Sequence, residues 1–355
     1  MAPIYLGSTE VSKVYKGSTE VSQAYLGTNA LLSSLDPTEN FSAITYTGDR
    51  PTNAGKTGMG FQPDLVMIKG RSFSDHWSVL DSSRGANVLG TNQTDAQASF
   101  SGFTFDSDGF TVGSSGQANS NGETLVAWGW KAAGGTETTN NEGSVTSEVQ
   151  ANTDAGFSIV RFPGASGANT VGHGLTTAPE LIIMRSYDVG GTWGVYAKDL
   201  GADKYLLLNG TNASTTNSAW NNTHPTSTVL SWQGGLVAAG AGYNNIAYCF
   251  HSVAGYQKIG TYSGTGSSLE VTVGFQPRFL VIRRYASSGD RWLIADSFRG
   301  GNTNNDSFLD FQDTLSERDF NATNGVTFNS TSFTVNATDG AVNNSAGSYL
   351  YWAIA

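Results

Sequence analysis

Cysteine is nearly absent from this chain: Cys249 is the single one in 355 residues. An intrachain disulfide framework is therefore excluded. Lying in Ile246-Ala247-Tyr248-Cys249-Phe250, Cys249 reads as a small buried hydrophobe. Charge is sparse, at 14% of residues, and 19 basic side chains are scattered among 29 acidic ones for a net charge of −10. Nucleic-acid binders show a basic patch or stripe, and none is present, so no nucleic-acid partner is expected. No apolar run approaches the length of a membrane span, so no membrane insertion is expected. Met1-Ala2-Pro3-Ile4 is not a basic region leading into an apolar stretch, so a secretion signal is not expected either.

Motifs of catalysis are missing too. There is no G-x-S-x-G elbow and no P-loop. His76, His173, His224 and His251 lack zinc-ligand spacing. Asp106-Ser107-Asp108-Gly109 starts like a calcium loop, but the longer ligand series ending in Glu does not follow. Carboxylates are numerous enough to supply a glycosidase pair, yet no spacing singles one out. The expectation is a non-enzyme with no catalytic residue, no metal and no cofactor. Long amphipathic helices are also lacking.

What the chain has is repetition. Gly60-Phe61-Gln62-Pro63-Asp64-Leu65-Val66-Met67-Ile68-Lys69 returns as Ala178-Pro179-Glu180-Leu181-Ile182-Ile183-Met184-Arg185. It returns again as Gly274-Phe275-Gln276-Pro277-Arg278-Phe279-Leu280-Val281-Ile282-Arg283. Trp77, Trp193 and Trp292 follow the prolines at 14, 14 and 15 residues, opening WSVLDSSRG, WGVYAKDLG and WLIADSFRG. A period of about 100 residues is the size of a small domain, not of a solenoid unit. Proline suits the first residue of a strand, and four apolar residues ended by a cation fit a short strand buried on both faces.

With 44 glycines, 38% hydrophobic residues and turn signals every ten residues or so, the fold class is all-β. The expected organisation is three tandem β-sandwich, jelly-roll-like domains after a short N-terminal β-repeat segment. The boundaries are 1–40 for the repeat segment, 41–135 for copy one, 143–253 for copy two and 254–355 for copy three. Each copy has an opening and a closing strand expected to lie side by side, and the polar stretch 131–141 reads as a linker. Copies two and three abut without one. The three domains are pictured projecting outward from the N-terminal segment.

Residues 5–34 carry a second repeat of period ten, Tyr5-Leu6-Gly7-Ser8-Thr9-Glu10-Val11-Ser12-Lys13-Val14 and its successors. Gly-Ser-Thr is turn chemistry, and one strand per repeat would make a three-stranded meander. Thirty residues bury little surface alone. Tyr5, Val11, Val14, Tyr15, Val21 and Tyr25 are therefore assembly or attachment candidates, with open strand edges for a partner.

Asp81 with Arg84 recurs as Asp296 with Arg299, while copy two has Ala197 and Leu200. The spacing indicates an ion pair at an exposed turn, a kind of pair that contributes about 0–1 kcal/mol. Lys69, Arg185 and Arg283 are expected to end their strands in solvent rather than to lie over the tryptophans. The eight tryptophans are expected in the core rather than on a sugar-binding face.

Taken together, the F-S-[IA]-[TV] opening, the Gly-Phe-Gln-Pro-Asp-Leu-Val strand, WSVLDSSRG, DSDGFTVG and VAWGWKA resemble a repeated domain of unknown function. That domain occurs in tail-fibre-like virion proteins of marine bacteriophages. The resemblance covers about residues 41–355; copy two departs from it at Ala178, Ala197 and Leu200. The YxGSTEVSxV repeat is similar to short repeats of phage fibre proteins. The resemblance implies a virion structural protein, a tail fibre or tail appendage made in host cytoplasm and exposed on the particle. It further implies adhesion to a host glycan or protein, other virion proteins as partners of the N-terminal segment, and a homotrimer. A capsid-decorating protein or head fibre, and a glycan depolymerase, are the alternatives. Receptor contact is expected farthest from the anchor, in copy three, at Ser287, Ser288, Gly289 and Asp290 or in 313–324.

Overall fold

A computed structural model describes residues 35–355 apart from 53, 236, 239, 302–306, 320–324 and 336–339; of residues 1–34 it describes only the backbone of short paired strands. The chain divides into two units, Met1–Asp36 and Pro37–Ala355. It is all-β, with antiparallel sheets and only one-turn helices.

In the first unit Tyr5–Leu6 pairs with Thr9–Glu10, Tyr15–Lys16 with Thr19–Glu20, and Gln23–Leu26 with Asn29–Ser33. Each repeat thus contributes two paired strands, where one strand per repeat was expected. Tyr5, Tyr15 and Tyr25 fall in these strands. Val11, Val14 and Val21 lie outside the described residues.

In the second unit every copy builds the same run of four strands, ordered opening, closing, proline, tryptophan strand, which is the whole sheet in copy one and part of eight- and six-stranded sheets in copies two and three. The opening strands are Phe41–Thr47, Phe157–Pro163 and Gln257–Ser263. The closing strands are Thr124–Trp130, Asn244–Phe250 and Ser348–Ile354. The proline strands are Leu65–Gly70, Leu181–Ser186 and Phe279–Arg284. The tryptophan strands are Ser78–Asp81, Gly194–Ala197 and Trp292–Asp296. Opening and closing strands pair along their full length in all three copies, as anticipated.

One face of each sheet packs on a smaller sheet of its own copy. In copy one, Val66, Ile68, Leu125 and Ala127 meet Phe110 and Val112. In copy two, Ile182, Met184, Ala247 and Cys249 meet Leu230 and Trp232. In copy three, Leu280, Ile282, Tyr351 and Ala353 meet Phe333 and Val335. Each copy therefore has its own core.

The alternate residues, Leu65, Met67, Leu181, Ile183, Phe279 and Val281, are equally buried but belong to none of these cores. They face the other copies. A continuous apolar run has exactly that meaning when both sheet faces are covered. Where the closing strands converge, Trp130 stacks on Trp352 at 5.7 Å, and Trp352 touches Phe250 at 4.5 Å and Phe279 at 5.4 Å. Phe41 completes the cluster, 5.1 Å from Trp130 and 5.3 Å from Phe279. The copies are thus gathered round a common aromatic centre. Burial of the second sheet face drives this, at about 25 cal/mol per Å² of apolar surface.

The stretch 131–141 is not a free linker. Thr138–Asn140 pairs with Ser147–Asn152, and this ribbon extends the sheet of copy two beyond its opening strand.

Candidate functional site

The three copies close on one another in a cycle. Trp77 of copy one donates its indole N–H to the Asp310 carbonyl of copy three at 2.9 Å. Trp193 of copy two donates to the Gly90 carbonyl of copy one at 2.7 Å. Trp292 of copy three donates to the Leu207 carbonyl of copy two at 2.8 Å. All three indoles are buried, so each bond satisfies a donor that burial would otherwise leave unpaired. The constant spacing from proline to tryptophan serves these seams between copies.

The cations at the ends of the proline strands do the same work, and their expected place in solvent is corrected: all three are buried. Lys69 Nζ donates to the carbonyls of Asp75 and, across the seam, Thr314, at 2.9 and 3.0 Å. Arg185 spans the carbonyls of Gln93, Thr94 and Asp95 of copy one at 3.2, 3.3 and 2.6 Å. Arg283 bonds the carbonyls of Asp290 and, across the seam, Asn212. Arg185 and Arg283 lie over the rings of Trp193 and Trp292 at 5.1 and 5.7 Å. A seam lined with carbonyls presents only acceptors, and a Lys or Arg presents only donors. Burial pulls the Lys69 ammonium down to about 8, the charges of Asp313 and Asp75 working against it; it still carries its proton at neutral pH.

Backbone bonds repeat the cycle. Gln97 N–H donates to the Tyr187 carbonyl at 2.7 Å, Glu317 N–H to Arg71 at 2.9 Å, and Ser214 N–H to Tyr285 at 2.8 Å. The residues singled out for receptor contact belong to this pattern. Gly289 N–H donates to the Thr211 carbonyl at 2.8 Å, and Ser288 Oγ accepts from Ala213 N–H at 3.2 Å. Asp290 supplies the carbonyl for Arg283 and a carboxylate 3.7 Å from Arg284, while Ser287 is half-buried beside them. Of 313–324, Glu317 also belongs to a seam.

The paired acid and base are ion pairs, but the exposed-turn reading is overturned. Arg84 Nε lies 2.6 Å from Asp81, with both side chains at 1% exposure or less. Across the seam, Tyr248 of copy two donates its hydroxyl to the same carboxylate at 2.7 Å. In copy three, Arg299 Nε lies 2.7 Å from Asp296, which also accepts the Trp128 indole N–H of copy one at 3.1 Å. Arg299 continues to Glu317 at 3.0 Å, and Glu317 takes a two-bond clamp from Arg71 of copy one at 2.8 Å. Burial pushes the Glu317 carboxyl up, but the hydrogen bonds and charges of Arg71 and Arg299 outweigh it and hold the group below its ordinary value.

Copy two, with Ala197 and Leu200, has no such pair. There Trp352, which holds the register position of Trp128 and Tyr248 on its closing strand, turns its N–H to Gln257 of its own copy at 2.9 Å. Joint absence of acid and base from copy two was the one sequence signal of this buried coupling. Tyr248, Trp128 and Glu317 left no such signal, since nothing in a single chain's text names a partner across a seam.

The residue after each proline fastens the joints. Asp64, fully buried, accepts the backbone N–H groups of Ala132, Gly134 and Gly135 at 2.7, 2.9 and 2.7 Å and the Ser82 hydroxyl at 2.8 Å. These hold the strand leaving copy one. Glu180 accepts the Ser252 N–H at 2.9 Å where the chain leaves copy two. In copy three the corresponding residue is the cation Arg278, which reaches the Phe41 carbonyl at the start of copy one, at 3.4 Å. Asp64→Ala removes the acceptor of the buried Ala132 N–H and of the part-buried N–H groups of Gly134 and Gly135, and should cost about 1–3 kcal/mol in urea unfolding. Asp64→Asn, which keeps one acceptor oxygen, should cost less; equal midpoints for wild type and Asp64→Ala would refute the fastening role.

Asp106 and Asp108 are engaged by the protein itself. Asp106 accepts the hydroxyls of Thr104 and Thr111 at 2.9 and 2.7 Å, and Asp108 the N–H groups of Gly58 and Gly60 at 3.1 and 2.6 Å. Among the described residues no group of three or more His, Cys, Asp or Glu is placed to hold a metal ion. No helix of the described residues is long and apolar enough to cross a membrane.

Compared with known proteins, the chain matches no curated protein. One family model, however, covers residues 36–355 without a break, taking in all three copies and the seams between them. The chain therefore belongs to the DUF7483 family, a domain of unknown function.

Proposed function

We propose that this protein is a non-enzymatic structural component of a bacteriophage particle, a tail fibre or tail-associated appendage attached through its N-terminal repeat and used in adhesion to the host surface. The observation that carries the reading is the cyclic closure of three copies through Trp77, Trp193 and Trp292. A binding head on a particle must hold its shape without a partner chain. Three copies fused in one chain and locked by buried seams meet that need, because no copy can dissociate. The motif resemblance to tail-fibre-like virion proteins supplies the setting.

The N-terminal unit supports attachment. Its hairpins are two to five residues per strand, and such short ribbons need a partner to be stable. Their strand edges suit augmentation by another virion protein. Trimerisation would also run through this unit, since the copies' mutual faces are already used within the chain.

The test is immunogold labelling of purified particles with antibody against residues 37–355, repeated on phage carrying a deletion of residues 1–34. Wild-type particles should label at the tail. The truncated protein should remain folded, since Pro37–Ala355 is a unit with its own cores, and should be missing from particles. Unlabelled wild-type particles would overturn the virion reading; truncated protein at normal copy number would overturn the attachment role.

A further inference from the structure

Copy two, which lacks the acid–base pair, carries something the others do not. At the third residue after the tryptophan, copies one and three have Leu80 and Ala295, and copy two has Tyr196. The Tyr196 ring is buried against Trp220 at 5.6 Å, and its hydroxyl meets His224 Nδ1 at 2.7 Å. His224 itself is exposed. Burial, then the charges of Asp199 and Glu180, push the Tyr196 phenol far up, so it keeps its hydrogen. In the tautomer in which Nδ1 accepts that hydrogen, the ring N–H is on Nε2, the nitrogen not engaged by Tyr196.

An open cleft of about 300 Å³ lies at this pair, walled by Ala178, Pro179, His224 and Pro225 and edged by Lys198 and Asp199. It adjoins a second depression lined by Glu180, Ile259 and Leu350, which leads onto copy three. The two share Lys198 and Asp199. Lys198 Nζ is already 3.2 Å from Glu180, and Asp199 accepts from Thr261 at 3.4 Å.

The chemistry selects among ligands. One ammonium beside two carboxylates leaves no excess of positive charge for an anion. The acids are separately engaged and form no metal-holding group among the described residues. What remains is a platform of two pyrrolidine rings and an imidazole, with a carboxylate and an ammonium at its edge. A pyranose ring has the matching surface: C–H groups on one face and hydroxyls, each donor and acceptor, round the rim. Clefts near this size sit at the small end of ligand sites, with room for about one or two sugar units. We propose that the Tyr196–His224 cleft is a saccharide subsite that takes a neutral pyranose unit of a surface glycan. The source of the glycan rests on the adhesion reading above; the subsite itself does not.

The experiment is an NMR titration of the full chain with maltohexaose and chitohexaose, each to about 10 mM, a range that reveals weak millimolar binding. At least one should bind saturably and shift the His224 ring and Ala178 methyl signals. His224→Ala should weaken that binding at least about tenfold. Tyr196→Phe, which keeps the buried ring and loses only the hydroxyl, should weaken it by a smaller factor with an unchanged melting curve. Ser101→Ala, at a separate cleft of about 340 Å³ between 99–102 and 114–115, should leave it unchanged. Flat titrations with both sugars, or equal affinity in His224→Ala, would overturn the subsite. Labelled particles with flat titrations would sink the subsite alone, and saturable binding with unlabelled particles the virion reading alone.

Discussion

Arg84→Leu is expected to lower the unfolding free energy by about 3–5 kcal/mol. The guanidinium donates to Asp81 at 2.6 Å, to the Val79 carbonyl at 3.2 Å and to the Asn87 carbonyl at 3.3 Å, all at or near full burial. Removing it leaves the buried Asp81 side chain with the Tyr248 hydroxyl and the backbone N–H of residue 84 as its hydrogen-bond partners among the described residues. The double variant Asp81→Ala with Arg84→Leu installs the residues that copy two has at these places. It removes both charges together, so it should be less damaging than the single variant by about 1–3 kcal/mol. Urea unfolding of the single and double variants measures the difference. If the double variant loses as much as the sum of its parts, the pair is not a coupled buried unit. Copy two already shows that a seam closes without the pair: there the apolar side chains of Val195, Leu208, Val281 and Trp352 line a common cavity.

Trp193→Ala should cost a similar amount, about 3–5 kcal/mol, for a different reason. It empties a fully buried site and breaks the bond to the Gly90 carbonyl. It also takes away the ring over which Arg185 lies, leaving that buried cation with carbonyls alone. Trp193→Phe separates the two contributions. It fills most of the space but cannot donate, and should cost about 1–2 kcal/mol, the penalty for one buried carbonyl left without its partner. Because the lost contacts lie between copies, native-state proteolysis should also rise at 89–97, which Trp193 and Arg185 hold from across the seam. An unfolding midpoint unchanged in Trp193→Ala would refute the seam assignment.

The chain's own text determined a great deal. Three prolines followed by four apolar residues and a cation defined three equivalent strands. The flanking patterns identified their neighbours, and opening and closing strands pair as their positions implied. Local chemistry is enough for this, since strand propensity, turn glycines and side-chain alternation act over a few residues. The acid and base three residues apart were likewise legible as a pair, because i and i+3 are neighbours at a tight turn.

What surrounds those strands was decided only by the tertiary structure. An apolar run buried on two faces reads the same whether the second face meets its own domain or another copy. Lys69, Arg185 and Arg283 look like strand ends in solvent until a row of carbonyls from the next copy closes over them. Asp81 and Arg84 look exposed until Tyr248, 167 residues away, covers them. Tyr196 stands in a repeated motif, but His224, 28 residues on, lies outside the repeated motifs. Contacts of such sequence separation obey shape and solvation rather than spacing, so a single sequence records both partners without recording that they meet.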